Sequence, residues 1–187
     1  MQDYHEFLGE VLIPEDVLQN RVKELGAQIS QDYKGCENLL LLCILRGGVM
    51  FLTDLIRQMN VHHMVEFMAV SSYGVGHFAS SGSVRITLDL KSDIHDYHVL
   101  LVEDIIDSGN TIASVLELLS TRKPKSLEVC TLLDKVERRE VFVPIKYVGF
   151  TIPNKYVFGY GLDVDEYYRN LPFIGVVDLD KYQANIT

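Results

Sequence analysis

With 187 residues, 48% of them hydrophobic and 23% charged, the chain is long enough for one domain with a sizeable core and too apolar to be disordered. A net charge of −9 argues against nucleic acid as the main partner, because a phosphate backbone needs clustered Lys and Arg, yet leaves room for a small phosphorylated ligand held by a local donor cluster. The longest apolar run, at 39–45, is too short for a membrane span, the opening MQDYHEFLGE lacks the basic and apolar regions of a secretory signal, and the scattered Cys36, Cys43 and Cys130 suit buried thiols in a reducing cytoplasm.

Pro14 opens a pattern with Leu18, Val22, Leu25 and Ile29 at helical spacing. NLLLLCIL at 38–45 reads as a strand buried on both faces, and Gly47-Gly48 breaks it before a helix at 49–59. MVEFMAVSS at 64–72 predicts another strand, and the small, polar, glycine-rich stretch 71–83 predicts a loop. VRITLDLK at 84–91 alternates Val84, Ile86, Leu88 and Leu90 with mostly polar residues, as a half-exposed strand does. HVLLV at 98–102 is a short apolar strand that ends at acids. Ile112, Val115, Leu116 and Leu119 then fit one helix face. KPKS at 123–126 turns the chain, and LEVCTLL at 127–133 and YVGFTI at 147–152 are further strands.

No internal repeat, low-complexity stretch or linker interrupts this alternation. It predicts an α/β fold with a mainly parallel twisted sheet flanked by helices, and ligands at the carboxyl ends of the strands. The final segment, with Gly159, Tyr160, Gly161, Tyr167 and Tyr168, has weaker periodicity and is expected as a small lobe over the sheet edge. The six histidines show no ligand spacing with cysteines or acids, so no zinc site is assigned.

The chemistry concentrates in LLVEDIIDSGNT at 100–111. Ser108, Gly109, Asn110 and Thr111 link a strand to a helix N-terminus, where backbone N–H groups and the helix dipole favour an anion. A plain cap, with Ser108 or Thr111 closing the helix, explains the turn equally well. Glu103 and Asp104 are harder to explain structurally, since an unpaired charge beside an apolar strand is costly. In a strand they point to opposite faces, so they suit sugar hydroxyls or the waters of a magnesium ion better than one shared clamp. Asp107 lies nearer the turn. Carboxylates beside a phosphate cradle call for a ligand with a diol, a metal and a phosphate: a phosphorylated ribose.

At this motif the sequence resembles the purine phosphoribosyltransferases, specifically the bacterial-type hypoxanthine-guanine phosphoribosyltransferases, and the resemblance runs from LIPEDVL near the start to YYRNLPFIG near the end. It implies the type I phosphoribosyltransferase fold: a single domain over residues 1–187, with a core at about 35–150 and a small hood from about 1–15 and 151–187. It implies a purine-salvage enzyme that transfers 5-phosphoribosyl from phosphoribosyl pyrophosphate to N9 of hypoxanthine or guanine, giving IMP or GMP and pyrophosphate. The implied cofactor is Mg2+, and the implied assembly is a homo-oligomer, dimer or tetramer.

Residue by residue, the resemblance gives Glu103 and Asp104 the ribose hydroxyls and the magnesium environment, Asp107 the purine N7 as general base, and Asp107 to Thr111 the 5′-phosphate. LRGG at 45–48 resembles the pyrophosphate loop, with Arg46 as donor, Gly47 and Gly48 allowing close approach, and a cis peptide before Arg46. The family often has Lys at that position. SSYG at 71–74 resembles the start of a mobile lid, with Ser72 and Tyr73 closing over the pyrophosphate and excluding water. Lys135, at the end of LLDK, would donate to a purine 6-oxo group and so disfavour adenine. In NKYVFGYGLDVDEYYRN at 154–170, Tyr156 would stack on the base, the Val157 backbone would meet its edge, Asp163 would hold a second magnesium, and Arg169 would reach the pyrophosphate. Without the resemblance, Lys135 reads as a surface lysine, the aromatics as core, and 165–166 as a solvated acidic run. Three other readings stand beside this one: a transferase preferring xanthine, a non-catalytic nucleotide sensor that binds RNA, and a phosphoacceptor signalling domain.

Overall fold

A computed structural model describes residues 2–72 and 84–182. In chain order its elements begin with α1 (Tyr4–Phe7), β1 (Leu8–Ile13), α2 (Glu15–Asp32), β2 (Leu39–Leu45), α3 (Val49–Gln58), β3 (Met64–Ser72) and β4 (Val84–Leu88). They continue with β5 (His98–Ile106), α4 (Asn110–Ser120), β6 (Ser126–Asp134), a 3-10 turn (Val136–Arg138), β7 (Tyr147–Thr151), β8 (Val157–Phe158) and β9 (Ile174–Val177).

Strands β2 to β7 form one sheet in the order β4-β3-β2-β5-β6-β7. Every pairing in it is parallel except that of β4, an antiparallel edge strand on β3. The uninterrupted run Leu39–Ile44 is buried throughout because helices cover both faces. On one face Leu41 and Leu100 pack with Leu18, Val22 and Leu25 of α2 and with Phe51, Leu52 and Leu55 of α3. On the other, Leu40, Leu42 and Leu101 pack with Ile112, Val115 and Leu119 of α4. The expected α/β layering is therefore present, and the helix anticipated after Pro14 begins there, with Pro14 as its N-cap residue. No described helix is long and apolar enough to cross a membrane.

Two strand limits differ from expectation. The strand at 98 does not stop at the acids: Glu103 pairs with Thr131 and Ile106 with Asp134, so the ladder with β6 carries β5 through both carboxylates. The strand at 84 ends sooner, at Leu88, where its pairing with β3 runs out.

The last segment belongs to a second sheet, in which β9 pairs antiparallel with both β1 and β8. Aromatic packing seals it: Phe7 contacts Phe158, Tyr168 and Tyr182 with ring centroids 5.1–5.6 Å apart. This segment does not ride on the edge of the large sheet. Gly161 packs on the carbonyl of Gly47, just beyond β2 in the middle of that sheet.

Candidate active site

The strand order reverses between β2 and β5, the pair from which the two halves of the large sheet are wound outward. Open α/β sheets present a crevice at such a switch, outside the carboxyl ends of the strands. Here those two ends are followed by Arg46-Gly47-Gly48 and by Asp107-Ser108-Gly109, while Glu103 and Asp104 lie in the last turns of β5 itself.

Asp104 and Gly47 form the floor. A Cβ placed on Gly47 would overlap Asp104 Oδ2, and one on Gly161, whose φ is +100°, would overlap the Gly47 carbonyl. Three chain segments thus meet where only hydrogen-sized side chains leave room. The peptide between Leu45 and Arg46 is cis, as the resemblance implied. Burial pushes the Asp104 carboxyl up to about 6, against backbone hydrogen bonds and the positive charge of Arg169. Glu103 is 6% exposed, and its Oε1 has no hydrogen-bond partner. Burial, then the neighbouring charge of Asp104, holds its carboxyl well above the usual carboxylate range.

Asp107 sits differently. Its Oδ2 accepts from Lys135 Nζ at 3.2 Å and its Oδ1 from Arg138 Nε at 3.0 Å. Lys135, far from being a surface lysine, is 7% exposed, and its backbone N–H donates to Ile106 O at 3.0 Å, tying the ends of β5 and β6 together. Arg138 was not singled out in the sequence. Its only local signal is the basic pair in VERRE, and its partner Asp107 is 31 residues away in the chain.

The turn that follows is capped by Gly109 in a left-handed conformation (φ +89°), with no side-chain cap on α4. The simple cap by Ser108 or Thr111 is therefore not how this helix starts; Ser108 Oγ makes only a 3.4 Å contact to the Asn110 N–H. Instead the loop is buttressed from behind. The N–H groups of Glu140 and Val141 donate to Ser108 O at 2.9 and 3.2 Å, and Asn110 Nδ2 donates to Glu140 Oε2 at 2.8 Å. Arg139, paired with Asp134, packs beside Gly109.

Across the crevice, Arg169 Nη1 donates to Gly161 O at 2.8 Å and its Nη2 pairs with Asp163 Oδ1 at 2.8 Å and Glu166 Oε2 at 3.0 Å. Glu166 also holds Arg46, Oε2 to Nη1 and Oε1 to Nη2, each at 3.1 Å. Tyr156 is 44% exposed and available as a flat surface, whereas Val157 is buried in β8. Ser72 is the last residue of β3, and Tyr73 lies outside the described residues. The expected positions around 46, 103–111, 135 and 161–169 thus converge. Sequence reasoning missed Arg138, Glu140 and Glu166, whose partners are 30 to 120 residues away in the chain.

Among the described residues no group of three or more His, Cys, Asp or Glu forms a ready metal cage. Magnesium needs no such cage: it binds through one or two carboxylates and keeps waters and substrate phosphates as its other ligands. The unpartnered oxygen of Glu103 and the raised carboxyl of Asp104 are groups that a nearby divalent charge would satisfy.

Residues 15–166 match the family model of the phosphoribosyl transferase domain. The hypoxanthine phosphoribosyltransferase of Escherichia coli is 52% identical over 171 residues, covering 91% of this chain and 96% of that one. The hypoxanthine-guanine phosphoribosyltransferase of Staphylococcus aureus is 48% identical over 178 residues, covering 95% and 98%. A crystal structure of a hypoxanthine phosphoribosyltransferase from S. aureus superposes with a TM-score of 0.92 at 48% identity, over 96% of this chain and 97% of that one.

Proposed function

The chain belongs to the phosphoribosyl transferase domain family, and on that premise we propose that it is a purine-salvage enzyme. It transfers 5-phosphoribosyl from phosphoribosyl pyrophosphate to N9 of hypoxanthine or guanine. The observation that carries the base assignment is the pair Lys135–Asp107, 3.2 Å apart at the mouth of the β5–β6 cleft. A 6-oxopurine protonated at N7 offers an N–H donor and a carbonyl acceptor side by side on one edge. An acceptor carboxylate beside a donor ammonium is the complement of that edge, and adenine, with an amino group in place of the carbonyl, would set a donor against the buried ammonium.

The other roles follow the same logic. The Gly109-capped N-terminus of α4, with Ser108, Asn110 and Thr111, takes the 5′-phosphate. Glu103 and Asp104 face the ribose diol and, with Asp163, hold magnesium. When bound, magnesium neutralises phosphate charge and stabilises the leaving pyrophosphate. Arg46, Gly47 and Arg169 receive that pyrophosphate, Ser72 and Tyr73 start the lid, Tyr156 stacks on the base, and the Val157 backbone meets its edge. In the reaction the N9 lone pair forms the bond to C1 as the bond from C1 to the pyrophosphate oxygen breaks. The N7 proton passes to the Asp107 carboxylate, and IMP or GMP is formed.

We read residues 1–187 as one domain with its core at about 35–150 and a hood built from about 1–15 and 151–187; the β1-β9-β8 sheet, drawn from both ends of the chain, supports this. A homo-oligomer, dimer or tetramer, in the cytoplasm completes the proposal, and the free state of Cys36, Cys43 and Cys130 agrees with a reducing compartment. The test is nucleotide formation from hypoxanthine, guanine, xanthine and adenine with phosphoribosyl pyrophosphate and magnesium. Turnover of the first two and not of adenine is expected. Release of pyrophosphate with none of the four would overturn the assignment.

A further inference from the structure

Resting on the reading of Arg46 and Arg169 as the pyrophosphate seat, we propose that Glu166 is a built-in substitute for pyrophosphate, exchanging places with it on the two arginines. The short hairpin around it is unusual. Val164 and Tyr167 pair with each other in both directions, N–H to carbonyl at 3.1 and 3.0 Å, leaving Asp165 and Glu166 as its two turn residues. Both have positive φ, +50° and +71°. Such a two-residue turn favours Gly or Asn, and an ordinary side chain there is disfavoured. A glutamate held in that conformation points to a role for its side chain.

The side chain bridges both arginines. Its two oxygens accept from two nitrogens of Arg46 and one of Arg169, all within 3.0–3.1 Å. A planar carboxylate on guanidinium forks is the contact geometry that a phosphate oxygen pair also uses. The two arginines are not equally dependent on it. Arg169 keeps Asp163 and the Gly161 carbonyl when Glu166 leaves, so it stays aimed. Arg46, with a side chain 69% exposed, has Glu166 as its only side-chain partner among the described residues and is released whole. The Glu166 N–H, bonded to Asp163 Oδ2 at 2.9 Å, keeps the turn anchored during the exchange.

Arg46 and Glu166 are both largely exposed, so the carboxylate is a weak holder of Arg46 and a multiply charged phosphate displaces it. It keeps Arg46 and Arg169 neutralised and close together in the free chain, and returns to them as pyrophosphate departs. Glu166 is a positioning residue in this scheme, not a catalytic one.

The experiment is calorimetric binding of inorganic pyrophosphate, in magnesium buffer, to the full chain and its variants. Glu166→Gln keeps shape and removes charge, and Glu166→Asn suits the left-handed turn. Both should tighten pyrophosphate binding by about three- to tenfold, the worth of one exposed ion-pair network removed from competition. The KM for phosphoribosyl pyrophosphate should fall by a similar factor while kcat does not rise. Damage to the fold would weaken binding instead, so tightening is diagnostic. Arg46→Ala should weaken pyrophosphate and abolish most of the gain from Glu166→Gln. If Arg46→Ala leaves pyrophosphate binding unchanged, the seat itself is misassigned and the exchange falls with it. If Arg46→Ala weakens binding but neither Glu166 variant tightens it, the seat stands and the exchange alone is wrong.

Discussion

Asp104 and Asp107 belong to one short motif, yet the chain treats them in opposite ways. Asp107 lies at the surface of the cleft with Lys135 and Arg138 on its two oxygens. Asp104 lies at the floor against Gly47, with buried Glu103 beside it, backbone hydrogen bonds in its favour, and Arg169, more distant, as the only positive charge that helps it. The chain has supplied the cations around one carboxylate and withheld them from the other two. Where the protein provides counter-charges, both carboxylate oxygens are held in a fixed direction by their partners. Where it withholds them, the missing positive charge has to come from outside, which is the condition for binding a metal-loaded ligand.

The sharpest break of this contrast is at Asp107. Asp107→Asn keeps the shape and leaves Lys135 and Arg138 a carbonyl oxygen but removes the base. Turnover should fall by about 10²–10⁴-fold while pyrophosphate affinity changes little. Equal losses in steady-state turnover and in pyrophosphate binding would mean that Asp107 belongs to the phosphate cradle alone. Lys135→Met tests the other half of the pair. It should lower kcat/KM for hypoxanthine and guanine by roughly 10²-fold or more, through loss of a buried charged donor, with adenine much less affected. A uniform loss over all three bases in the same assay would move Lys135 from recognition to support.

How much of this was legible in the sequence depends on how local the cause is. The parallel sheet was readable because β2, β5 and β6 each contain an apolar run, and the runs are short enough to be strands. The crevice was readable because its turn at 107–111, its acids and Arg46-Gly47 are each contiguous in the sequence. What was not readable is set by contacts distant in sequence. Nothing in LGEVLI announces that β1 will pair with β9 at the other end of the chain, since its apolar residues do not alternate and only Ile13 is buried. Lys135 has the composition of a surface residue, and only the crossing of β6 beside β5 buries it. The acidic run at 165–166 reads as solvated until the arginines that face Glu166 are brought to it by the fold.

On the Asp104 side a steric break comes next in size. Gly47→Ala would drive a methyl group into the Asp104 carboxylate, which cannot retreat without leaving the floor. Overpacking of this kind costs about 1–3 kcal/mol. Part of that should appear as a loss of pyrophosphate affinity of about tenfold or less, because the loop and the acid must separate. Full pyrophosphate affinity in Gly47→Ala, measured by calorimetry, would show that the loop and Asp104 are not a mechanical unit.

The smallest effect is the most specific to withheld charge. The folded-state pKa of Asp104 is about 6, against an ordinary aspartate value of about 3.9 in the unfolded chain. Between those values the folded protein binds the extra proton, so stability falls as pH rises and the penalty is complete above pH 6. In the magnesium-free, ligand-free protein, lowering the pH from 7 to 5 should therefore raise the contribution of this site to Tm. His98, whose pKa is depressed by burial and by Lys125 and Lys146, works in the opposite direction over part of that range. The quantity to read is therefore the difference between the parent and Asp104→Asn, which share His98. The variant should be the more stable of the two at pH 7, and its advantage should shrink by pH 5 as the parent takes up its proton. An Asp104→Asn advantage that is constant from pH 7 to 5 would mean that the floor carboxylate is already neutral, or already paired, without magnesium.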